Sequence, residues 1–135
     1  MSNLSHAFDY IRRRVGSELY DRLPPYNPKK DYIGPEAWTK IKELEPLAKI
    51  VRFAWGIDLN LAGWVHDGLY LIGGGEEERQ LYDQIFLEVM HWLIERQALP
   101  VIGQIQKRLA KIRARELHAL VRRCGPCFFS YREVR

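Results

Sequence analysis

Leu59–Ile72 (LNLAGWVHDGLYLI), Gly73-Gly74-Gly75 and Glu76–Gln97 (EEERQLYDQIFLEVMHWLIERQ) decide how this chain folds. The first segment is mostly apolar and reads as a helix. The second is amphipathic and reads as another, with Tyr82, Ile85, Phe86, Val89, Met90 and Leu93 on one stripe. Three glycines between them let the chain reverse, because glycine takes positive φ without steric cost. An antiparallel helix pair is therefore expected. Counting from Gly74, His66 lies eight residues back and Asp83 nine forward, so the two side chains come level across the hairpin.

This is where the chain sets titratable groups inside an apolar pattern. His66 and Tyr70 are spaced i, i+4 and share a helix face, while Asp67 and Tyr70 are spaced i, i+3. Asp83 lies beside the apolar stripe of its own helix, where a carboxylate is desolvated unless it has a partner. His66 and Tyr70 are the expected partners. A histidine held by a carboxylate, with a phenol fixing that carboxylate, is a general-base arrangement. The plain alternative is a satisfied polar cluster in a helical core.

The pieces His66-Asp67-Gly68-Leu69-Tyr70 and Asp83-Gln84-Ile85-Phe86, on successive helices, resemble the phospholipase A2 superfamily, most closely its small bacterial members. Certain phage-associated proteins carry a similar His-Asp-x-Leu-Tyr stretch. The likeness covers about a quarter of the chain. It implies that His66 is the base activating water for attack on a phospholipid ester, that Asp83 orients the imidazole, and that Tyr70 holds Asp83. It further implies that Asp67 is a calcium ligand, the ion polarising the ester carbonyl. Two parts of the family pattern differ here. The nearest counterpart to a glycine-rich calcium loop is Trp55-Gly56-Ile57-Asp58-Leu59-Asn60, with one glycine, and Gly63 stands where the family has a half-cystine. The alternative from another class is a catalytically inactive scaffold that binds a partner through its basic C-terminal region.

Working outward, 135 residues fit one domain, and 47% hydrophobic with 28% charged residues is the balance of a globular chain with a real core. Two cysteines exclude a disulfide framework, no run is long enough for a membrane span, and the first residues lack a signal-peptide pattern. A cytoplasmic location is expected. Ala7, Phe8, Ile11, Val15, Leu19 and Leu23 predict one amphipathic helix over Ser5–Leu23, with Arg12, Arg13 and Arg14 on a solvated face. Pro24-Pro25 ends it, and a loop follows over residues 24–34, with Tyr26 and Tyr32 in it. Gly34-Pro35-Glu36 starts a helical period that runs through Trp55, broken near Pro46. Trp55 and Trp64 flank the His66 region and read as core residues.

Ala98-Leu99-Pro100 marks a break, after which Val101, Ile105, Leu109, Ile112, Leu117, Leu120 and Val121 predict a further helix to about Arg123. From residue 101 onward nine Lys or Arg stand against two Glu, a net of +7 in a chain of net +4. Such asymmetry points to a polyanionic partner, a phospholipid membrane surface or, more weakly, nucleic acid. Cys124-Gly125-Pro126-Cys127 has the spacing of a thioredoxin redox motif but closes a helix instead of opening one, so it reads as a Gly-Pro helix stop. His91 and His118 are expected at the polar edges of their helices. A metal-binding His-Asp phosphohydrolase fails on ligand count, since no Asp follows Asp83 and His6 is the sole histidine before His66.

Overall fold

The computed structural model describes residues 3–33, 53–54, 56–97 and 103–124. Among them are five helices and one two-stranded ribbon. The fold is all-α apart from that ribbon, as the helical periods predict. Helices α1 (Asn3–Val15) and α2 (Ser17–Asp21) take the place of the single helix expected over Ser5–Leu23. Apolar positions do continue past Val15, but Gly16 adopts φ 95°, outside the helical range, and interrupts the helix there.

A second correction concerns the segment before the His66 helix. The expected helical period does not run through to Trp55. Strands β1 (Phe53–Ala54) and β2 (Ile57–Asp58) pair antiparallel, with Phe53 opposite Asp58 and Ala54 opposite Ile57. Two-residue strands are short enough for apolar periodicity to misread, and Gly56 at φ 84° permits the tight reversal between them.

Helices α3 (Asn60–Ile72), α4 (Glu76–Gln97) and α5 (Gly103–Cys124) complete the described elements. Gly73 and Gly74 take φ values of 74° and 144°, so the reversal between α3 and α4 uses the glycines as expected. Contacts at three levels set the pair antiparallel. Near the turn the Tyr82 hydroxyl donates to the Gly73 carbonyl (3.4 Å), and midway His66 meets Asp83. At the far end Gln97 Nε2 donates to the Asp58 carbonyl and Gln97 Oε1 accepts the Asp58 N–H, both at 3.0 Å.

Nearly every side of α3 is buried, which is why its sequence is apolar almost throughout; Asp67 and Leu71, spaced i, i+4, are its exposed stripe. Its Gly63 allows a close approach. A Cβ there would lie 2.6 Å from both the carbonyl carbon and oxygen of Tyr32, so the 24–33 loop is laid directly on the helix. Asn60 clamps that loop. Its Oδ1 accepts the Tyr32 N–H (2.7 Å), and its Nδ2 donates to the Lys30 carbonyl (2.8 Å) and the Tyr26 hydroxyl (3.1 Å). Trp64 is a core residue, edge-on to Phe8 and Tyr26, with Nε1 donating to the Pro24 carbonyl at 2.8 Å. On the other side of α4, fully buried Ala110 and Ala114 let α5 pack closely.

No helix among the described residues is long and apolar enough to cross a membrane. The expected start at Gly34-Pro35-Glu36, the break at Pro46, Trp55, the break at Ala98-Leu99-Pro100, and Gly125-Pro126-Cys127 lie outside those residues.

Candidate active site

The α3–α4 hairpin brings His66, Tyr70 and Asp83 together as the residue count requires. His66 Nε2 lies 2.8 Å from Asp83 Oδ1, and the Tyr70 hydroxyl donates to the same oxygen at 2.5 Å. Asp83 is 0% exposed. A carboxylate buried that deeply is costly unless charge and hydrogen bonds compensate it. The remaining compensation comes from Arg79, whose Nη1 donates to Asp83 Oδ2 at 3.1 Å.

Arg79 is a site residue that the sequence reading missed. Its side chain is only 6% exposed, and it also grips Glu76 with both ends of its fork, Nε to Oε2 at 3.0 Å and Nη2 to Oε1 at 2.5 Å. Charges therefore alternate along α4, from Glu76 through Arg79 to Asp83, before the chain of contacts crosses to His66 on α3. The signal was legible: these three residues are spaced i, i+3 and i+3, i+7 on one helix face.

The His66 ring packs between Tyr70 and Phe86, with centroids 4.1 and 4.7 Å away. Burial lowers its pKa below the ordinary 6.5, outweighing the hydrogen bond and charge of Asp83, which act the other way. The imidazole is accordingly neutral at pH 7. The network assigns its proton to Nε2, donating to Asp83, which leaves the Nδ1 lone pair as the basic site. No hydrogen bond among the described residues engages Nδ1, and the side chain keeps 9% of its exposure. Tyr70 has its pKa raised, chiefly by burial and then by Asp83, so it remains a donor across the neutral range.

Asp67 is placed differently. It is exposed, about 100° around α3 from His66. No group of three or more His, Cys, Asp or Glu able to hold a metal occurs among the described residues.

Two further histidines were expected at the polar edges of their helices. His91 and His118 are half-buried, and the Nε2 of each is buried without a hydrogen-bond partner among the described residues. Burial lowers both pKa values. His118 reaches from α5 to within electrostatic range of Asp83 and His66. Nothing in its local sequence marks that position, because it depends on how α5 docks against α4.

These features define a small helical domain with a buried histidine–carboxylate centre between two antiparallel helices. Compared with known proteins, the chain matches no family model, no curated protein and no solved structure.

Proposed function

We propose that the chain is an ester hydrolase of the phospholipase A2 kind, with His66 as its general base. One observation carries this reading: a neutral, ring-packed His66 directs Nε2 at a fully buried carboxylate oxygen that Tyr70 also holds. In the proposed step, His66 Nδ1 removes a proton from water as the water oxygen adds to the ester carbonyl. Asp83 stabilises the imidazolium that forms. The imidazolium then returns its proton to the leaving alkoxide as the acyl carbon–oxygen bond breaks, giving a carboxylic acid and an alcohol. The phospholipid as substrate rests on the resemblance of His66-Asp67-Gly68-Leu69-Tyr70 and Asp83 to that superfamily. No step is routed through calcium.

Fatty-acid release from mixed phospholipid vesicles tests the reading, with calcium or chelator and with native protein or His66→Gln. Release that requires His66 is expected, and the chelator arm reads whether calcium assists it. Release that vanishes in chelator would return Asp67 to consideration as a ligand. No release from native protein on any vesicle defeats the hydrolase.

A second reading has its own support. Helix α5 exposes Arg108, Arg113, Arg115, Arg122 and Arg123, a surface suited to a polyanion. Vesicle sedimentation that is salt-sensitive and independent of His66, without hydrolysis, would favour an inactive scaffold binding anionic lipid. Preference for a DNA competitor would assign the surface to nucleic acid.

A further inference from the structure

Helices α1 and α4 meet along a seam on which Tyr10 stacks against Trp92 (centroids 5.2 Å apart, 13° between planes) and Arg14 pairs with Glu88 at 2.7 Å. Beyond that seam lie two cavities that share Trp92 and Arg96 as walls. The first, about 240 Å³, has Leu4, Ala7, Leu61 and Leu93 as its apolar lining. The second, about 490 Å³, is lined by His6, Asp9, Arg12 and Arg13 in addition to the shared pair. An apolar cavity and a basic one thus share two walls, Trp92 and Arg96.

The chemistry of the lining narrows what fits. In the apolar compartment, Asp58 and Gln97 are already engaged with one another's elements: Gln97 bonds the Asp58 backbone, and Asp58 Oδ1 accepts the Asn60 N–H at 2.9 Å. In the basic compartment, Arg12, Arg13 and Arg96 form no ion pair with any described residue. Apart from His6, three guanidiniums against one carboxylate, Asp9, leave a net +2. Guanidinium forks match carboxylate and phosphate oxygens. The Trp92 ring is closed to a stacking ligand, because Tyr10 stacks on it and the Arg96 guanidinium lies 4.8 Å from its centroid. Trp92 therefore offers a nucleobase no platform. Leu4, 43% exposed, adds apolar surface at the mouth.

We propose that this cleft binds a single-chain amphiphile with an anionic head. The chain lies against Leu4, Ala7, Leu61 and Leu93, and the head, a carboxylate or a phosphate, sits among Arg12, Arg13 and Arg96. The site is separate from His66. Leu61 precedes His66 by five residues on α3, about 7.5 Å along the axis, and Arg96 follows Asp83 by thirteen on α4, about 20 Å. Binding does not depend on whether His66 catalyses hydrolysis.

The test is calorimetric titration of the full chain with dodecanoate and with dodecyl phosphate, each below its micelle concentration. Inorganic phosphate and a non-ionic dodecyl detergent are the comparison ligands. One-to-one binding of at least one anionic amphiphile is expected, and the tighter of the two identifies the head group. Arg96→Gln and the double variant Arg12→Gln/Arg13→Gln each weaken it about tenfold or more. Leu4→Ser weakens the amphiphiles without unfolding the chain, whereas His66→Gln binds as native protein does. The proposal is overturned if the non-ionic detergent binds equally well, or if inorganic phosphate binds as tightly as the amphiphiles. Unchanged affinity in all three arginine positions, or no binding at all, overturns it too.

Discussion

Three donors converge on Asp83, and they are not equivalent. Tyr70 and His66 share Oδ1, whereas Arg79 alone takes Oδ2 and alone brings a full positive charge. Arg79→Gln should therefore cost about 3–5 kcal/mol in urea unfolding, the range for breaking a buried ion pair. A purely structural role would end there. If Arg79 also screens Asp83 from His66, the variant raises the His66 pKa, because the full carboxylate charge then favours the imidazolium; titration of the imidazole by NMR reads this directly. An unmoved His66 titration would confine Arg79 to structure. Tyr70→Phe deletes the hydroxyl that bonds Asp83 and also engages Arg79, and should cost at least about 1.5–3 kcal/mol. His66 also sets a pH expectation for any hydrolysis. Its pKa lies below 6.5, so the acid limb of a kcat/KM profile should fall below pH 6.5, and a limb above that value would argue for another base. At this scale the site was legible in part. His66 and Asp83 came level by counting from Gly74, and Tyr70 followed by helical spacing. The environment of Asp67 was not legible, since neighbours on a helix point in directions that only packing ranks as inside or outside.

At the scale of elements, α3 is held as much by what it lacks as by what it buries. Gly63→Ala would push a methyl group to 2.6 Å from the Tyr32 backbone. Neither partner is a side-chain end that can swing aside, so a loss of about 1–3 kcal/mol is expected by chemical denaturation. A change within experimental error would mean that the 24–33 loop is not seated there. Asn60→Ala releases the same loop from its other anchor, leaving the Tyr32 N–H without its acceptor, and should cost about 1–3 kcal/mol. Both variants should raise hydrogen exchange in residues 24–33 before α4 is affected. Element boundaries were the least legible feature. Hydrophobic steps of three and four ran past Gly16 and toward Trp55, yet a positive φ at Gly16 ends the first run and Phe53–Ala54 form a strand inside the second. Periodicity reports which face is apolar; it carries no information on whether a glycine inside the run remains helical.

Over the whole molecule, three histidines are kept neutral by burial: His66, His91 and His118. His91 faces Lys111, Arg115, Glu95 and His118, and His118 faces Asp83, Arg122 and His66. Because their folded pKa values lie below the ordinary 6.5, the unfolded chain binds more protons at mildly acid pH. Their contribution to stability is present above pH 6.5 and is lost as pH falls through their lowered folded values. Tm should drop from pH 7 to pH 5, and the double variant His91→Gln/His118→Gln should drop less over that interval. Glu95 does not explain such a loss. Lys111 and Lys107 bond it and hold its pKa at about 2, so its contribution persists until far more acid conditions. The sequence by itself determined the helical class, the α3–α4 hairpin and the meeting of His66, Tyr70 and Asp83. Those features follow from residue spacing about one glycine turn, and the 1.5 Å rise of a helix turns a count into a register. Only the tertiary structure decided the burial of His91 and His118, the exposure of Asp67 and the cleft between α1 and α4. Each of these depends on where separate helices dock, and docking is set by side chains far apart in the chain.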